Sequence, residues 1–174
     1  MKQLKVVWSV MLALTLAAGT LIMPNTARAQ GDNIPELSRD WNVRIGVYIY
    51  NGKTASDAGG RIGISGLVER TVYRGEIYDI NVGIGYNGFD RIYSVPATIS
   101  FIYHPANLRL GAGVGYSFNK RVSGKGSNGS VFNLLVGYQL SHGKNPTSID
   151  LRYYFVGGSN NELDGYSLTY GLHF

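Results

Sequence analysis

Tyr166-Ser-Leu-Thr-Tyr-Gly-Leu-His-Phe174 places Tyr166, Leu168, Tyr170, Leu172 and Phe174 at every second position, with Ser167, Thr169, Gly171 and His173 between them. Side chains along an extended strand point alternately to opposite faces, so this nonamer reads as a β-strand with one apolar and one polar side. A helix would need its apolar residues three or four apart, and that spacing is absent here.

The same rhythm recurs upstream of this strand. Trp41, Val43, Ile45, Val47 and Ile49 form the first apolar stripe, and Ile62, Ile64 and Val68 form a second that Gly66 interrupts. Tyr78, Ile80, Val82, Ile84 and Tyr86 form the third, and Tyr93, Val95, Ala97, Ile99, Phe101 and Tyr103 the fourth. Leu108, Leu110, Ala112, Val114, Tyr116 and Phe118 come next, then Phe132, Leu134, Val136, Tyr138 and Leu140, then Ile149, Leu151, Tyr153 and Phe155. With the closing nonamer this makes eight runs separated by turn residues, the pattern of hairpin-connected antiparallel strands. The expected fold class is all-β, an eight-stranded antiparallel up-and-down transmembrane β-barrel over residues 41–174.

The connections alternate in character. Residues 51–59, 87–91, 120–129 and 157–162 are rich in Gly, Asn, Ser and charge, whereas 73–75, 104–107 and 141–146 are mostly tighter. Membrane barrels pair short periplasmic turns with longer outer loops, which orients the chain with its first strand rising from the periplasm.

Alternation does not say which face meets water. The four lysines beyond the leader, Lys53, Lys120, Lys125 and Lys144, all fall in expected loops or turns, although a water-facing sheet ordinarily carries some. Tyr78 and Tyr86, Tyr93 and Tyr103, Tyr138 and Phe174 stand near stripe ends, as in the aromatic girdles of a lipid-facing band. The apolar face is therefore expected to face lipid. A mean hydropathy of −0.04 argues against a helical membrane bundle and suits a barrel in which one strand residue in two is apolar.

The first residues read as an export signal. Lys2 and Lys5 precede the apolar run of residues 6–23, Pro24 ends it, and Ala27-Arg28-Ala29 supplies a small-x-small cleavage pattern. Residues 1–29 are thus expected to be a cleavable signal peptide and residues 30–40 a periplasmic lead-in. Cleavage would remove Lys2, Lys5 and Arg28, lowering the formal charge from +5 to +2. The basic balance accordingly carries no argument for nucleic acid. The chain has no cysteine, so no disulfide framework is available.

The terminal nonamer, with its final aromatic, resembles the C-terminal signal of bacterial outer-membrane barrels that the barrel-assembly machinery reads. Strand number and rhythm make the whole chain similar to the small eight-stranded group typified by the OmpA membrane domain, OmpX and OmpW. The resemblance implies an integral outer-membrane location, contact with outer-membrane lipid, and engagement of the assembly machinery through the Phe174 strand. Functions differ within that group.

The polar face should line the interior. Its charged members are Arg44, Arg61, Glu69, Asp79, Arg109, Asp150 and Arg152, all but Arg61 in the periplasmic half. Three arginines, Arg44, Arg109 and Arg152, can then pair with Glu69, Asp79 and Asp150 as a balanced network. That network reads as a plug, with a gate of exchanging ion pairs as the alternative. In the outer half Gly63, Gly83, Gly85, Gly111, Gly113, Gly115 and Gly137 accompany Tyr48, Tyr50 and Tyr154 on the inward face. Tyrosines folded over the glycines would fill this space; the alternative is a small pocket open to the exterior.

Enzymatic activity is not expected. His104, His142 and His173 all fall at the periplasmic end. Ser159-Asn160 is similar to the Ser-Asn of lipid A deacylases, but the preceding histidine is replaced by Gly157-Gly158. Scattered histidines without cysteine make no metal set. Gly83-Ile-Gly-Tyr86 and Gly111-Ala-Gly-Val-Gly115 lie within strand patterns with no helix after them, so they are not phosphate loops. No cofactor is expected. Lys120, Arg121 and Lys125 sit in a loop of glycines and serines, a solvated stretch or, alternatively, a contact for anionic lipid headgroups.

Overall fold

The computed structural model describes residues 41–52, 61–89, 92–120, 126–142, 145–157 and 162–174. These contain eight strands and no helix: β1 (Trp41–Tyr50), β2 (Ile62–Arg74), β3 (Tyr78–Phe89), β4 (Ile92–Tyr103), β5 (Leu108–Lys120), β6 (Gly126–Ser141), β7 (Thr147–Val156) and β8 (Gly165–His173). Each strand pairs antiparallel with the next, and β8 pairs with β1 to close the barrel. Closure extends to the last residue: Trp41 and Phe174 each donate a backbone N–H to the other's carbonyl at 2.9 Å. The end carrying Trp41 and Phe174 is termed the lower end, and the opposite mouth the upper end.

The apolar stripes all point outward. Ile45, at 71 % exposure, and its stripe neighbours alternate with buried Asn42, Arg44, Tyr48 and Tyr50 along β1. The other strands also turn their apolar stripes outward, β2 from Ile62 to Thr71 and β3 up to Asn87, with inward positions mostly polar or glycine but including Leu67, Ile92, Ile102, Val131, Leu135 and Val156. At the lower end of β2, Val72 is an extra residue between the Thr71–Asn81 and Tyr73–Ile80 rungs. This bulge turns Tyr73 outward, where it stacks on Tyr78 with ring centroids 5.4 Å apart. A second irregularity, at Leu140 in β6, shifts Ser141 onto Thr147.

Several expected loops prove to be strand. Asn87 and Gly88 continue β3 and pair with Ser94 and Tyr93. Residues 126–129 continue β6, whose Gly126 pairs with Lys120 at the end of β5. Lys120 thus belongs to a strand, contrary to the expectation that no such lysine does. Local composition favoured a loop at these sites; ladder pairing with an existing neighbour overrides that preference. The turn expected at 73–75 lies instead at residues 75–77, closed by the Gly75 N–H donating to the Tyr78 carbonyl at 2.7 Å.

Candidate functional site

The interior holds two distinct layers. The lower one is a charge cluster drawn from four strands. Arg44 on β1 places Nε 3.0 Å from Glu69 Oε2 on β2 and Nη1 2.6 Å from Asp150 Oδ2 on β7. The same Nη1 donates to Ser148 Oγ at 2.9 Å. Arg152 on β7 spans the interior, its Nη2 donating to both Glu69 oxygens at 2.9 Å. Arg109 on β5 approaches Asp150 Oδ1 with its Nε at 3.3 Å. All five side chains are essentially buried.

Four of these five charges each have a glycine on a neighbouring strand, three glycines in all. Gly83 pairs with Glu69, Gly137 with Asp150 and also with Arg109, and Gly171 with Arg44. A Cβ at Gly83 would lie 2.7 Å from Glu69 Cγ, one at Gly137 2.9 Å from Asp150 Cγ, and one at Gly171 3.1 Å from Arg44 Cζ. These glycines make the room in which long charged side chains lie across so narrow an interior.

Asp79 stands apart from this group. It lies at the lower rim, partly exposed, with its Oδ1 3.3 Å from His104 Nε2. Arg61 precedes β2 and is exposed rather than interior. The balanced network of three arginines and three acids is therefore corrected to three arginines and two acids, Glu69 and Asp150. The rim position of Asp79 follows from its place one residue into β3, where the inward direction leads to the mouth rather than the middle.

The upper layer is aromatic and apolar. Tyr48, Tyr50 and Tyr154 pack with Ile92, Val131, Val156 and Leu163. Tyr48 meets Tyr50 edge to face at 5.1 Å and Tyr154 at 6.2 Å. The Tyr48 hydroxyl donates to the Leu163 carbonyl at 2.7 Å, just before the neighbouring β8, and the Tyr50 hydroxyl reaches across the bore to the Ile92 carbonyl at 2.6 Å, so both rings are fixed. Sequence reasoning placed these tyrosines inward but missed Leu163 and Asp164. Asp164 accepts the Val156 N–H at 2.7 Å, and burial pushes its carboxyl above the ordinary range. Between the layers Ser65 bonds both Asn87 and Ser167 at 2.7 Å.

On the outside, Tyr86 stacks on Tyr93 at 5.7 Å toward the upper end. Tyr78 stacks on Phe101 at 5.0 Å, and Asn107 donates to the Tyr138 hydroxyl at 3.3 Å, toward the lower end with Phe174. Tyr103, the last residue of β4, is half-buried there as well. Arg70 lies over the Trp41 ring at 5.7 Å. Lys120 is half-buried at the end of β5; Arg121 and Lys125 lie outside the described residues, as do Ser159 and Asn160. His104 and His173 are at the lower end, His173 with its Nε2 3.2 Å from Ser148 Oγ, while His142 is exposed. No protein-family profile, curated protein or solved structure matches this chain.

Proposed function

We propose that this chain is an integral outer-membrane β-barrel with a side-chain-filled, salt-bridged lumen and a structural or interaction role without turnover. One observation carries the reading: the barrel is inside out. Among the described residues twenty polar or charged side chains are buried against ten large hydrophobic ones, while Ile45, Ile62, Ile64 and Val114 are each at least 60 % exposed. A barrel in water would bury that band; in lipid the same band is the favourable surface. The aromatic stacks near both ends support the same reading, since amphipathic rings suit the headgroup level.

The tyrosine layer above and the charge cluster below support a closed lumen rather than a pore. The test is to refold the chain from Gln30 into liposomes, confirm a heat-modifiable gel shift, and measure flux of ions and small solutes. Insertion without flux supports the proposal. Flux through a correctly folded barrel replaces it with a narrow pore, and a chain that stays soluble and folded without lipid overturns the membrane reading altogether.

A further inference from the structure

The interior charge cluster is not neutral. Among the described residues Arg44, Arg109 and Arg152 pair with Glu69 and Asp150. Of the other described acids, Glu76 is exposed, and Asp79 and Asp164 lie off the cluster. Asp79 is engaged with His104 at the rim. Asp164 lies beyond the tyrosine layer, seven residues from Gly171 at the Arg44 level, about 23 Å away at the rise of a strand. His173 at the lower edge brings no negative charge, and neither does the Tyr154 phenol, since phenols are neutral at ordinary pH.

The guanidinium groups also retain unused donors. Nη2 of Arg44 makes no hydrogen bond among the described residues, although that side chain is about 1 % exposed, and Arg152, with Nη2 on Glu69, has only the Tyr154 hydroxyl within reach of its remaining donors. The buried amide of Asn133 is also without a partner among the described residues, whereas Asn87 lies within hydrogen-bond reach of the Tyr154 hydroxyl. A buried cation with empty N–H groups is strongly disfavoured unless an anion or water meets it, and water supplies no charge. We propose that the lumen binds one small monovalent anion, of chloride size, on Arg152 and Arg44 between the charge cluster and the tyrosine layer. The bore is only wide enough for side chains, which excludes larger organic anions. The inference rests on the interior alone and holds whatever surrounds the outer face.

Arg109 makes the longest of the cluster's ion-pair contacts, so removing it should balance the charges at the least structural expense. The experiment compares thermal unfolding midpoints of the purified protein in sodium chloride and in sodium gluconate at equal ionic strength. For wild type the expected rise in chloride is about 3 °C. Arg109→Lys should keep that rise and Arg109→Gln should lose it. Excess ³⁵Cl line broadening by the folded wild-type protein, absent after unfolding, reads the site directly and does not depend on any variant folding. Equal midpoints in both salts together with no broadening overturn the proposal. An undiminished chloride response in folded Arg109→Gln overturns it as well, because the ion would then not answer the charge excess.

Discussion

Arg152 on β7 and Glu69 on β2 meet across the barrel interior, one guanidinium nitrogen lying 2.9 Å from both carboxylate oxygens. Arg44 takes one of the same oxygens, so Glu69 ties two strands to a third through the bore. Glu69→Gln should therefore leave two buried arginines under-compensated, destabilising the barrel by about 3–5 kcal/mol in denaturant unfolding. Single-channel conductance should stay flat, because the tyrosine layer still closes the upper end. Higher conductance with unchanged stability would make the cluster a gate instead of a plug.

The upper closure has its own signature. Tyr48 is fully buried and its hydroxyl holds the Leu163 carbonyl. Tyr48→Phe should lower stability by about 1 kcal/mol through loss of that bond, and Tyr48→Ala by about 3–5 kcal/mol. The double change Tyr48→Ala, Tyr154→Ala should add measurable ion flux in liposomes. A double variant that folds and stays impermeant would show that the charge layer closes the bore unaided.

Two glycines separate packing from chain flexibility. Gly137→Ala drives a methyl into the Asp150 carboxylate, and the expected result is a lower unfolding midpoint with disruption of the Arg44 and Arg109 contacts. Gly66→Ala meets nothing within 4 Å and should be neutral or stabilise by about 0.5–1 kcal/mol. Matching effects at the two sites would deny the glycine rungs their role in housing the cluster.

The outward band can be tested at its most exposed member. Ile45→Lys should lower folding stability in vesicles by about 2–4 kcal/mol if Ile45 lies near mid-bilayer. Trp41 is the sole tryptophan besides Trp8, so in a chain refolded from Gln30 its quenching by brominated lipid reports insertion depth independently. A water-facing Ile45 would tolerate lysine without loss.

Asp164 gives a pH dependence. Its carboxyl is raised in the folded state by burial, so folding favours the protonated form, and the stability it contributes is lost as pH rises through the folded value. Wild type should gain stability on acidification from neutral toward the carboxylate range. Asp164→Asn keeps the acceptor for the Val156 N–H and should flatten that gain. An unchanged slope in the variant would assign the effect to another group.

Much of this architecture is legible from residue parity alone. A strand residue's parity decides its face, and parity placed Arg44, Glu69, Arg109, Asp150 and Arg152 inside together with Tyr48, Tyr50 and Tyr154. Height is harder to read, because it depends on how neighbouring strands are staggered. Asp79 has the right parity and the wrong level, and Arg61 lies just outside the strand whose parity was assigned to it. The extra residue at Val72 also escapes a reading by strict alternation. The sequence reading put Gly83 and Gly137 in the outer half with the tyrosines; register corrects this, setting Gly83 beside Glu69 and Gly137 beside Asp150 in the charge layer.

The backbone bonds between Trp41 and Phe174 join positions 133 residues apart. Until β8 pairs with β1, every partial hairpin array still presents a sticky β1 and a sticky last strand. Entropy makes such a distant pairing slow. The sheet should therefore stay open at one seam until β8 meets β1. Substitutions that weaken the β1–β8 rungs should prolong that open state and favour aggregation, which makes the seam a latch on the timing of assembly as much as a part of the wall.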